Sequence, residues 1–370
     1  VLSFMFWIMP CLAKECQAGA EPAIRIAAIL SLTGQAAASN SSVVSGIQMA
    51  VDEINSGGGV LGRPLELLLI DNESTPIGSS VAAQKAVDNK VTAIIGASWS
   101  SHSLAIAPIA QKNRIPMISP LSTIPKLTAI GDMIFRVCYT DDFQGKMLAN
   151  FAYNDLKVRR ALVFVDLTSD YSMELARVFS ERFLSLGGSI DKEIEYKSNQ
   201  LSYDRQISEA VGKKADVVVL TGYDESGFIA AKLQEAGIQA KIIGGDGWGD
   251  GDFYTSGGNQ LKTAFFLTHW TGESENPFSR RFVEKIPEGV PVIFGTALGY
   301  DAVYVLVEAI RKAGSTDREK IRQSLAKITY TKGVTGAITF DDQGDPVGMN
   351  LVVIEIRNGV PTYVKTISPP

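Results

Sequence analysis

Cysteine and histidine are scarce in this chain, and their scarcity narrows the chemistry that it can perform. The 370 residues include three cysteines, Cys11, Cys16 and Cys138, and two histidines, His102 and His269. None of them stands at the spacing of a metal site or of a cysteine–histidine nucleophile pair. No Gly-x-Ser-x-Gly nucleophile elbow is present, although composition alone does not exclude a Ser-His-Asp triad. The sequence therefore predicts no metal ion, no cofactor and no catalysis.

Runs of positive charge are also missing. Lysine and arginine number 35 against 40 aspartate and glutamate residues, which gives a formal net charge of −5 at pH 7. Without a basic run, nucleic acid is not expected as a partner. The glycine-rich stretches at 57–59 and 244–249 lack the spacing of a phosphate-binding loop. A chain of this length with 45% hydrophobic residues can build two ordinary domains, each with its own core.

The apolar run near the start is too short for a transmembrane helix. Residues 2–9 have the length of a signal-peptide core, and Ala-Gly-Ala at 18–20 fits a small-residue cleavage site. We therefore expect residues 1–20 to be a removed export signal and the protein to be periplasmic or otherwise extracytoplasmic. A membrane anchor, or a lipid on Cys11 or Cys16, is the alternative. Cleavage after residue 20 leaves a single cysteine and so excludes an intramolecular disulfide.

Short apolar runs alternate with amphipathic segments from residue 24 onward. The runs at 24–30, 65–70 and 91–95 predict buried strands, each followed by apolar residues at helical spacing. Strand, helix and strand in regular order predict a parallel sheet with helices on both faces, an α/β fold. The same rhythm starts afresh after Thr140, with the next strand at 161–165. No Pro/Gly/Ser-rich linker separates the two units, which indicates that the chain passes directly from one to the other.

Two neighbouring strands of the first unit, at 91–95 and 115–118, end in hydroxyl-rich loops. In a parallel sheet these loops share one edge, beside helix N-termini whose free N–H groups attract anions. This edge suits a small carboxylate, although serine and threonine there are equally explained as helix caps. The candidate residues in these loops are Ser100, Leu121, Ser122 and Thr123.

The strand ends of the second unit carry different side chains. The candidates there are Tyr171, Tyr223 and Asp246. Aromatic walls and one carboxylate suit an ammonium group, and charge-assisted bonds are strong in a closed, dry cleft. A zwitterion held between the two units would meet both sets of groups. The alternatives are that the tyrosines are core or cap residues and that Asp246 caps a turn.

Short motifs follow one another in a fixed order across nearly the whole chain after residue 20. They are Thr33-Gly34, Ala50-Val51-Asp52-Glu53-Ile54-Asn55, Gly57-Gly58-Gly59, Gly62-Arg63-Pro64-Leu65, Ile118-Ser119-Pro120, Pro125-Lys126-Leu127-Thr128, Phe135-Arg136-Val137, Gly145, Asp170-Tyr171, Gly244-Gly245-Asp246-Gly247-Trp248 and Leu298-Gly299-Tyr300-Asp301-Ala302. With them the chain resembles the type I periplasmic substrate-binding proteins of branched-chain amino acid (Leu/Ile/Val) transporters.

The resemblance implies a two-lobed fold of the type I periplasmic-binding-protein class. Each lobe would hold a parallel sheet with helices on both faces, and three crossovers would join the lobes. The N-terminal lobe would comprise residues 21–139 and 270–345. The C-terminal lobe would comprise residues 140–269 and 346–370.

The resemblance also implies roles for the candidate residues. Ser100 and the hydroxyl and N–H of Thr123 would bind the ligand carboxylate. The carbonyl of Leu121, the Thr123 hydroxyl and Asp246 would take the ammonium group, and Ser122 would lie against the ligand through its backbone. The second-lobe residues that would close over the ligand are Tyr171 and Tyr223.

The chain departs from the family pattern in two places near the expected pocket. Trp99 stands where members with a first-lobe disulfide have cysteine, and Ser74 stands at the partner position. The large ring of Trp99 would lie beside the pocket, so we include it among the candidate ligand-binding residues. The loop at 34–42 lacks the aromatic residue that some members place there. Both departures leave the side-chain preference open within the amino-acid class.

The predicted function is that of an exported receptor without catalysis. It would bind a small amino acid between its lobes, close by a hinge near Thr140, Thr268 and Pro346, and deliver the ligand to the permease subunits of an ABC transporter. A monomer is expected. The alternatives are a binding protein for an aromatic acid, a short amide or urea, the sensing domain of a receptor or regulator, and an enzyme, for which no paired acid and base emerges.

Overall fold

The computed structural model describes residues 22–249 and 251–368. The predicted export signal at residues 1–20 lies outside these ranges. Within them, no helix combines the length and the apolar character that crossing a membrane requires.

The first part of the described chain alternates strands and helices in the predicted order. Its elements are β1 (Ile24–Leu30), α1 (Ala37–Ser56), β2 (Leu65–Asp71), α2 (Pro76–Asp88), β3 (Ala93–Gly96), α3 (Ser100–Lys112), β4 (Met117–Ser119), a 3₁₀ helix (Pro125–Ile130) and β5 (Ile134–Arg136).

These five strands form one sheet in the order β2-β1-β3-β4-β5, and every neighbouring pair is parallel. All residues of the central strand β3 are buried because helices cover both faces of the sheet. The core on one face includes residues of α1, and the core on the other includes residues of α2 and α3. The predicted parallel sheet with helices on both faces is therefore confirmed.

The second part repeats the alternation. Its elements are α4 (Asp141–Asn150), a π-helical turn (Phe151–Asp155), β6 (Arg160–Asp166), α5 (Asp170–Ser185), β7 (Ser189–Tyr196), α6 (Asp204–Ala210), β8 (Val217–Leu220), α7 (Glu225–Glu235), β9 (Lys241–Gly244), a 3₁₀ helix (Asp246–Trp248), α8 (Phe253–Ser256), a second 3₁₀ helix (Gly258–Gln260) and β10 (Thr263–Thr268).

The last part adds helices to the first sheet and strands to the second. Its elements are α9 (Pro277–Lys285), α10 (Phe294–Ala313), α11 (Arg318–Leu325), β11 (Thr329–Tyr330), β12 (Ile338–Thr339), β13 (Leu351–Arg357) and β14 (Val360–Ile367).

Helix α10 packs closely against α1 because glycines face each other across the contact. A Cβ atom on Gly46 would lie 2.0 Å from the carbonyl oxygen of Thr296, and one on Gly299 would lie 2.5 Å from that of Val43. Any larger residue would push the helices apart. This contact fastens the late helix α10 to the first sheet.

The second sheet has seven strands in the order β14-β13-β10-β9-β8-β6-β7. Strands β6 to β10 pair with one another in parallel. Strand β13 pairs in the antiparallel direction with both β10 and β14. The antiparallel pair is an addition to the predicted parallel sheet. It follows from the two-residue link Asn358-Gly359, which is long enough for a hairpin but too short for a parallel crossover.

The chain passes between the two sheets three times, after β5, after β10 and after β12. We call the first sheet with α1–α3 and α9–α11 the first lobe, and the second sheet with α4–α8 the second lobe. The two-lobed α/β class predicted from the sequence is confirmed. The exact lobe bounds given above stay a prediction.

Candidate ligand-binding site

The carboxyl ends of strands from both lobes face a common cleft, which contains a cavity with about 380 Å³ of empty space, including space open to solvent. Loops after β3 and β4 form its first-lobe wall, and segments after β6, β8 and β9 form its second-lobe wall. The residues that line the cavity are Ser39, Ser98, Trp99, Leu121, Thr123, Tyr171, Tyr223, Asp246, Gly247 and Phe294.

Buried hydroxyl groups tie the loops of the first-lobe wall together. The hydroxyls of Ser103 and Ser122 are 2.6 Å apart, and Ser122 also donates to the carbonyl of Ser98 at 2.9 Å. Ser119 donates to the carbonyl of Ala97 at 2.9 Å. These bonds join the loop after β3 to the loop after β4, so both loops keep a fixed shape behind the cavity.

A buried arginine supports the same wall from behind. Arg136 is fully buried, and its Nη1 donates to the carbonyl of Ser122 at 2.7 Å. Its Nε forms an ion pair with Asp345 at 2.6 Å, and its Nη2 donates to the Thr128 hydroxyl at 3.1 Å. Because Asp345 lies between β12 and β13, this network connects the loop after β4 to the segment that joins the lobes.

Of the first-lobe candidates, Trp99, Leu121 and Thr123 line the cavity. Ser100 and Ser122 are buried behind that wall and are not among its lining residues. Ser98 takes a lining position, and its buried hydroxyl has no hydrogen-bond partner among the described residues. The ligand contacts expected of Ser100 and Ser122 stay predictions.

Trp99 joins the two lobes through a continuous stack of aromatic rings. Its ring lies parallel to that of Tyr223, with centroids 4.2 Å apart and an interplanar angle of 1°. On one side the stack continues to His102 at 5.5 Å, and on the other to Tyr171, 4.9 Å from Tyr223. We call these four side chains the ring stack. Three of its rings, those of Trp99, Tyr171 and Tyr223, line the cavity.

Ser74, at the position paired with Trp99 in the family comparison, makes hydrogen bonds. Its hydroxyl donates to the carbonyl of Thr33 at 2.6 Å and accepts from the N–H of Ala36 at 3.0 Å. These bonds hold the loop that precedes α1. The same helix carries Ser39, which lines the cavity.

Asp246 is the acidic group of the second-lobe wall, and its side chain is held from two directions. Its Oδ1 accepts from Gln144 Nε2 at 2.6 Å, and its Oδ2 lies 3.0 Å from His269 Nε2. The residue is 6% exposed. A Cβ on the preceding Gly245 would lie 2.2 Å from Gln144 Oε1 and 2.4 Å from the Tyr171 hydroxyl. Glycine at 245 therefore permits this close approach.

A second acid, Asp141, lies fully buried near Thr123 and Asp246. Its backbone N–H donates to the carbonyl of Thr123 at 2.8 Å. Burial raises the pKa of its carboxyl group well above the ordinary value, and the charge of Asp246 acts in the same direction. Burial likewise raises the pKa of Tyr171, so its hydroxyl stays protonated at neutral pH.

The cavity combines three kinds of groups. Hydroxyl and backbone groups of the first lobe can bind an anion, the carboxylate of the second lobe can bind a cation, and aromatic and aliphatic side chains fill the remaining wall. Among the described residues there is no group of three or more His, Cys, Asp or Glu side chains that could hold a metal ion. The arrangement is that of a binding site for a small polar molecule.

Comparison with known proteins decides the family. The family described as periplasmic binding protein matches residues 23–360 of this chain. The chain belongs to the periplasmic binding protein family. The resemblance seen in the sequence motifs is thus confirmed.

The relatives of this periplasmic binding protein include a Leu/Ile/Val-binding protein of Rhizobium johnstonii, 30% identical over 327 residues, 87% of this chain and 88% of that protein. A crystal structure of a leucine-binding protein of Thermotoga maritima matches with a TM-score of 0.89 and 37% identity, covering 94% of this chain and 99% of that one. The branched-chain amino acid transporter substrate-binding protein of Streptococcus pneumoniae, solved in complex with isoleucine, matches with a TM-score of 0.87 and 26% identity, over 94% and 100% of the two chains.

These matches support a type I protein of the branched-chain amino acid binding class. Membership of this family implies an extracytoplasmic location, which agrees with the location predicted from the sequence. The named relatives are binding proteins rather than enzymes.

Sequence reasoning missed several residues of the site. Phe294 is the first residue of α10, far along the chain from any strand end, and only the fold brings it to the cavity. Ser39 lies on α1, in the stretch 34–42 that was predicted to be a loop. Asp141 and Gln144 lie at the start of α4, where an acid in the first turn looks like an ordinary helix-terminus residue. The pair of adjacent acids, Asp141-Asp142, was the sequence feature that could have pointed to this part of the site.

Proposed function

We propose that this periplasmic binding protein binds a small amino acid, of the branched-chain or a related type, in the cleft between its lobes. The observation that carries the proposal is the polarity of the cavity. A buried carboxylate, Asp246, stands on one wall, and hydroxyl groups of Ser98 and Thr123 stand on the other. An α-amino acid has a cation and an anion on the same carbon, so it can use both walls at once.

In this proposal Thr123 and Ser98 bind the carboxylate, with Ser100 and Ser122 contributing through the loops that they hold. Asp246 and the carbonyl of Leu121 take the ammonium group. The ligand side chain lies against apolar groups, whose residues are Trp99, Tyr171, Tyr223 and Phe294.

We further propose that ligand binding closes the lobes about a hinge near Thr140, Thr268 and Pro346, with lobe bounds at 139/140, 269/270 and 345/346. Close to these positions the buried core residues change from those of one lobe to those of the other. The ligand favours the closed form because its two charged ends contact different lobes. The closed protein would then deliver the ligand to the permease subunits of an ABC transporter.

Thermal-shift measurements with the twenty amino acids test the ligand class. A ligand that binds only the folded protein raises its melting temperature, and leucine, isoleucine or valine is expected to give the largest rise. The result against the proposal is no shift with any amino acid. Calorimetry then gives the affinity for the best ligand.

Replacing Asp246 tests the charge assignment. Asp246→Ala should weaken binding of leucine at least tenfold, because the ammonium group loses its counter-charge; in a dry site the loss is roughly 2–5 kcal/mol. The matched control is Asp88→Asn, which removes an exposed carboxylate on α2. Equal affinity of Asp246→Ala and the wild type in calorimetry would remove Asp246 from the site.

An aromatic acid is the second candidate ligand, and the aromatic lining of the cavity favours it. Such a ligand has the carboxylate but lacks the ammonium group, so it needs no acid on the second-lobe wall. Asp246→Ala would then leave the affinity for benzoate unchanged or increase it. A wild-type protein that binds benzoate and no amino acid would establish this candidate.

A further inference from the structure

Asp141 is buried at the site, and among the described residues its carboxyl group has no hydrogen-bond partner of regular geometry. The residue begins α4, directly after the first crossover between the lobes, and none of its surface is exposed. Its backbone N–H donates to the carbonyl of Thr123 at 2.8 Å, which holds it beside the cavity wall. Neither carboxyl oxygen makes a hydrogen bond of regular geometry among the described residues.

The charges around Asp141 do not compensate a second carboxylate. Asp246 and Glu174 are acids that act on it, and Arg136 is the cation that acts on it. The Arg136 guanidinium is already held by Asp345 and by the carbonyl of Ser122. His269 reaches the cluster through Asp246 rather than directly. The neutral groups around the cluster are Thr123, Tyr139, Tyr171 and Tyr223.

A carboxylate that is fully buried without a cation is costly, and such a group takes up a proton instead. The pKa of Asp141 agrees with this expectation. Burial raises it well above the ordinary value and the charge of Asp246 raises it further, whereas the Thr123 hydroxyl and Arg136 lower it. Burial and the charge of Asp246 both favour the uncharged acid, which has one O–H to donate.

The hydroxyl group of the cavity wall that acts on Asp141 is that of Thr123. A hydroxyl has one proton to donate and two lone pairs to accept with. If Asp141 were ionised, it would accept the Thr123 proton, and the hydroxyl could offer the ligand only lone pairs. A protonated Asp141 can instead donate to Thr123 Oγ1 and leave the Thr123 proton free.

We propose that Asp141 is a positioning residue of the ligand site, an uncharged acid that donates its proton to Thr123 Oγ1 and so directs the Thr123 hydroxyl proton to the ligand carboxylate. This inference rests on the proposed amino-acid function. It adds a residue that makes no contact with the ligand itself. It also gives the two buried acids different roles, since Asp141 donates a proton to Thr123 and Asp246 faces the ammonium group.

The proposal fixes the direction of a pH effect. In the proposed ligand-bound form Asp141 keeps its proton while it donates to Thr123, and the burial that raises its pKa favours this state. Binding is therefore fully supported below that raised pKa and weakens as the pH rises through it. In an Asp141→Asn variant this component is absent. The ratio of wild-type to variant affinity therefore stays level or falls with rising pH, and titration of the ligand ammonium cancels in the ratio.

Three variants measured by calorimetry with leucine test the proposal. Asp141→Ala removes the donor and should weaken binding by about tenfold. Asp141→Asn keeps an N–H donor at the same place and should recover most of that loss. Asp142→Asn is the matched control for charge alone, because Asp142 is the next residue and its side chain is 50% exposed. Circular dichroism and melting temperatures establish that each variant is folded.

Two results would overturn the proposal. Asp141→Asn binding as weakly as Asp141→Ala would mean that the site uses a negative charge, and so would an affinity ratio that rises from about pH 6 to about pH 9. Infrared spectroscopy provides a measurement independent of ligand binding. At neutral pH the wild type should show the C=O band of a protonated carboxyl group that is missing in Asp141→Asn. If no amino acid binds the wild type, the proposed function fails, and the infrared band alone decides the state of Asp141.

Discussion

The wall that the first lobe gives to the cleft is built from hydroxyl groups and backbone, whereas the wall of the second lobe is built from aromatic rings and a carboxylate. The first wall is internally bonded: Ser103, Ser119 and Ser122 hold its loops to each other. The second wall is held from outside its own loop, since Asp246 depends on Gln144 from α4 and on His269 beyond β10.

This difference reflects the charge that each wall faces. An anion can be bound by neutral N–H and O–H dipoles, provided that their directions are fixed in advance, and a network of short bonds fixes them. A cation is bound by a full negative charge, for which direction matters less but desolvation matters more. The first wall therefore needs rigid loops, and the second needs a few strong hydrogen bonds to one buried acid.

The largest expected effect comes from removing the support of the first wall. Arg136→Met should lower the free energy of unfolding by about 3–5 kcal/mol, because Asp345 loses its partner and the Ser122 and Thr128 contacts are lost. We expect the lower end of that range, since the Asp345 side chain is 20% exposed. Urea unfolding measures the change. Arg177→Met, which breaks surface ion pairs, is the control and should cost less than about 1 kcal/mol.

A smaller effect tests whether the first wall is neutral. Burial lowers the pKa of His102, which stacks on Trp99, to about 4 from the ordinary 6.5. The folded protein thus disfavours protonation, so this contribution to stability is complete above pH 6.5 and is lost as the pH falls towards 4. Between about pH 7.5 and about pH 5.5 the loss is about 1.3 kcal/mol.

His102→Gln should remove this slope. The measurement is urea unfolding of wild type and variant at both pH values, and the difference between them isolates His102 from the other titrating groups. Parallel profiles for the two proteins would show that the His102 pKa is the same in the folded and the unfolded protein, and so that the fold does not hold His102 neutral. The comparison of a neutral first wall with a charged second wall would then be wrong.

The smallest effect concerns the contact between the walls. Trp99→Ala removes the ring that stacks on Tyr223 at 4.2 Å, and with it about 0.5–1.5 kcal/mol of closed-state stabilisation. Leucine binding should weaken by about fivefold in calorimetry. Trp99→Phe keeps a stacking ring and should weaken binding less than Trp99→Ala. If the alanine variant binds as tightly as the wild type, the ring stack does not support the closed cleft.

The strands that could be predicted from the sequence include those that are buried on both faces of a sheet. Strand β6, Arg160–Asp166, is buried from its second residue onward because it is covered on both faces, and a strand at 161–165 was predicted. Strand β7, Ser189–Tyr196, was missed because it lies at the sheet edge and alternates buried or half-buried residues with exposed charged ones. Strand β14 was missed for the same reason, since most of its residues are exposed.

For the site, position at a strand end was a good guide, and it failed where the cavity is completed by helices. Leu121, Thr123, Tyr171, Tyr223 and Asp246 follow strands and line the cavity. Ser39 and Phe294 come from helices that reach the cleft only because of how α1 and α10 pack. The pairing of Asp246 with Gln144 and His269 joins residues more than twenty positions apart, which no local pattern can reveal.

The unequal surroundings of the three tryptophans among the described residues give the protein an intrinsic optical probe. Trp248 and Trp270 are buried at 0% and 4% exposure within the lobe cores, whereas Trp99 is half-buried and touches the opposite lobe. Separation of the lobes would move Trp99 from a tyrosine face into water and leave the other two unchanged. Its emission spectrum should therefore shift to longer wavelength when the cleft opens, which allows opening and closing rates to be followed by stopped-flow fluorescence without any attached dye.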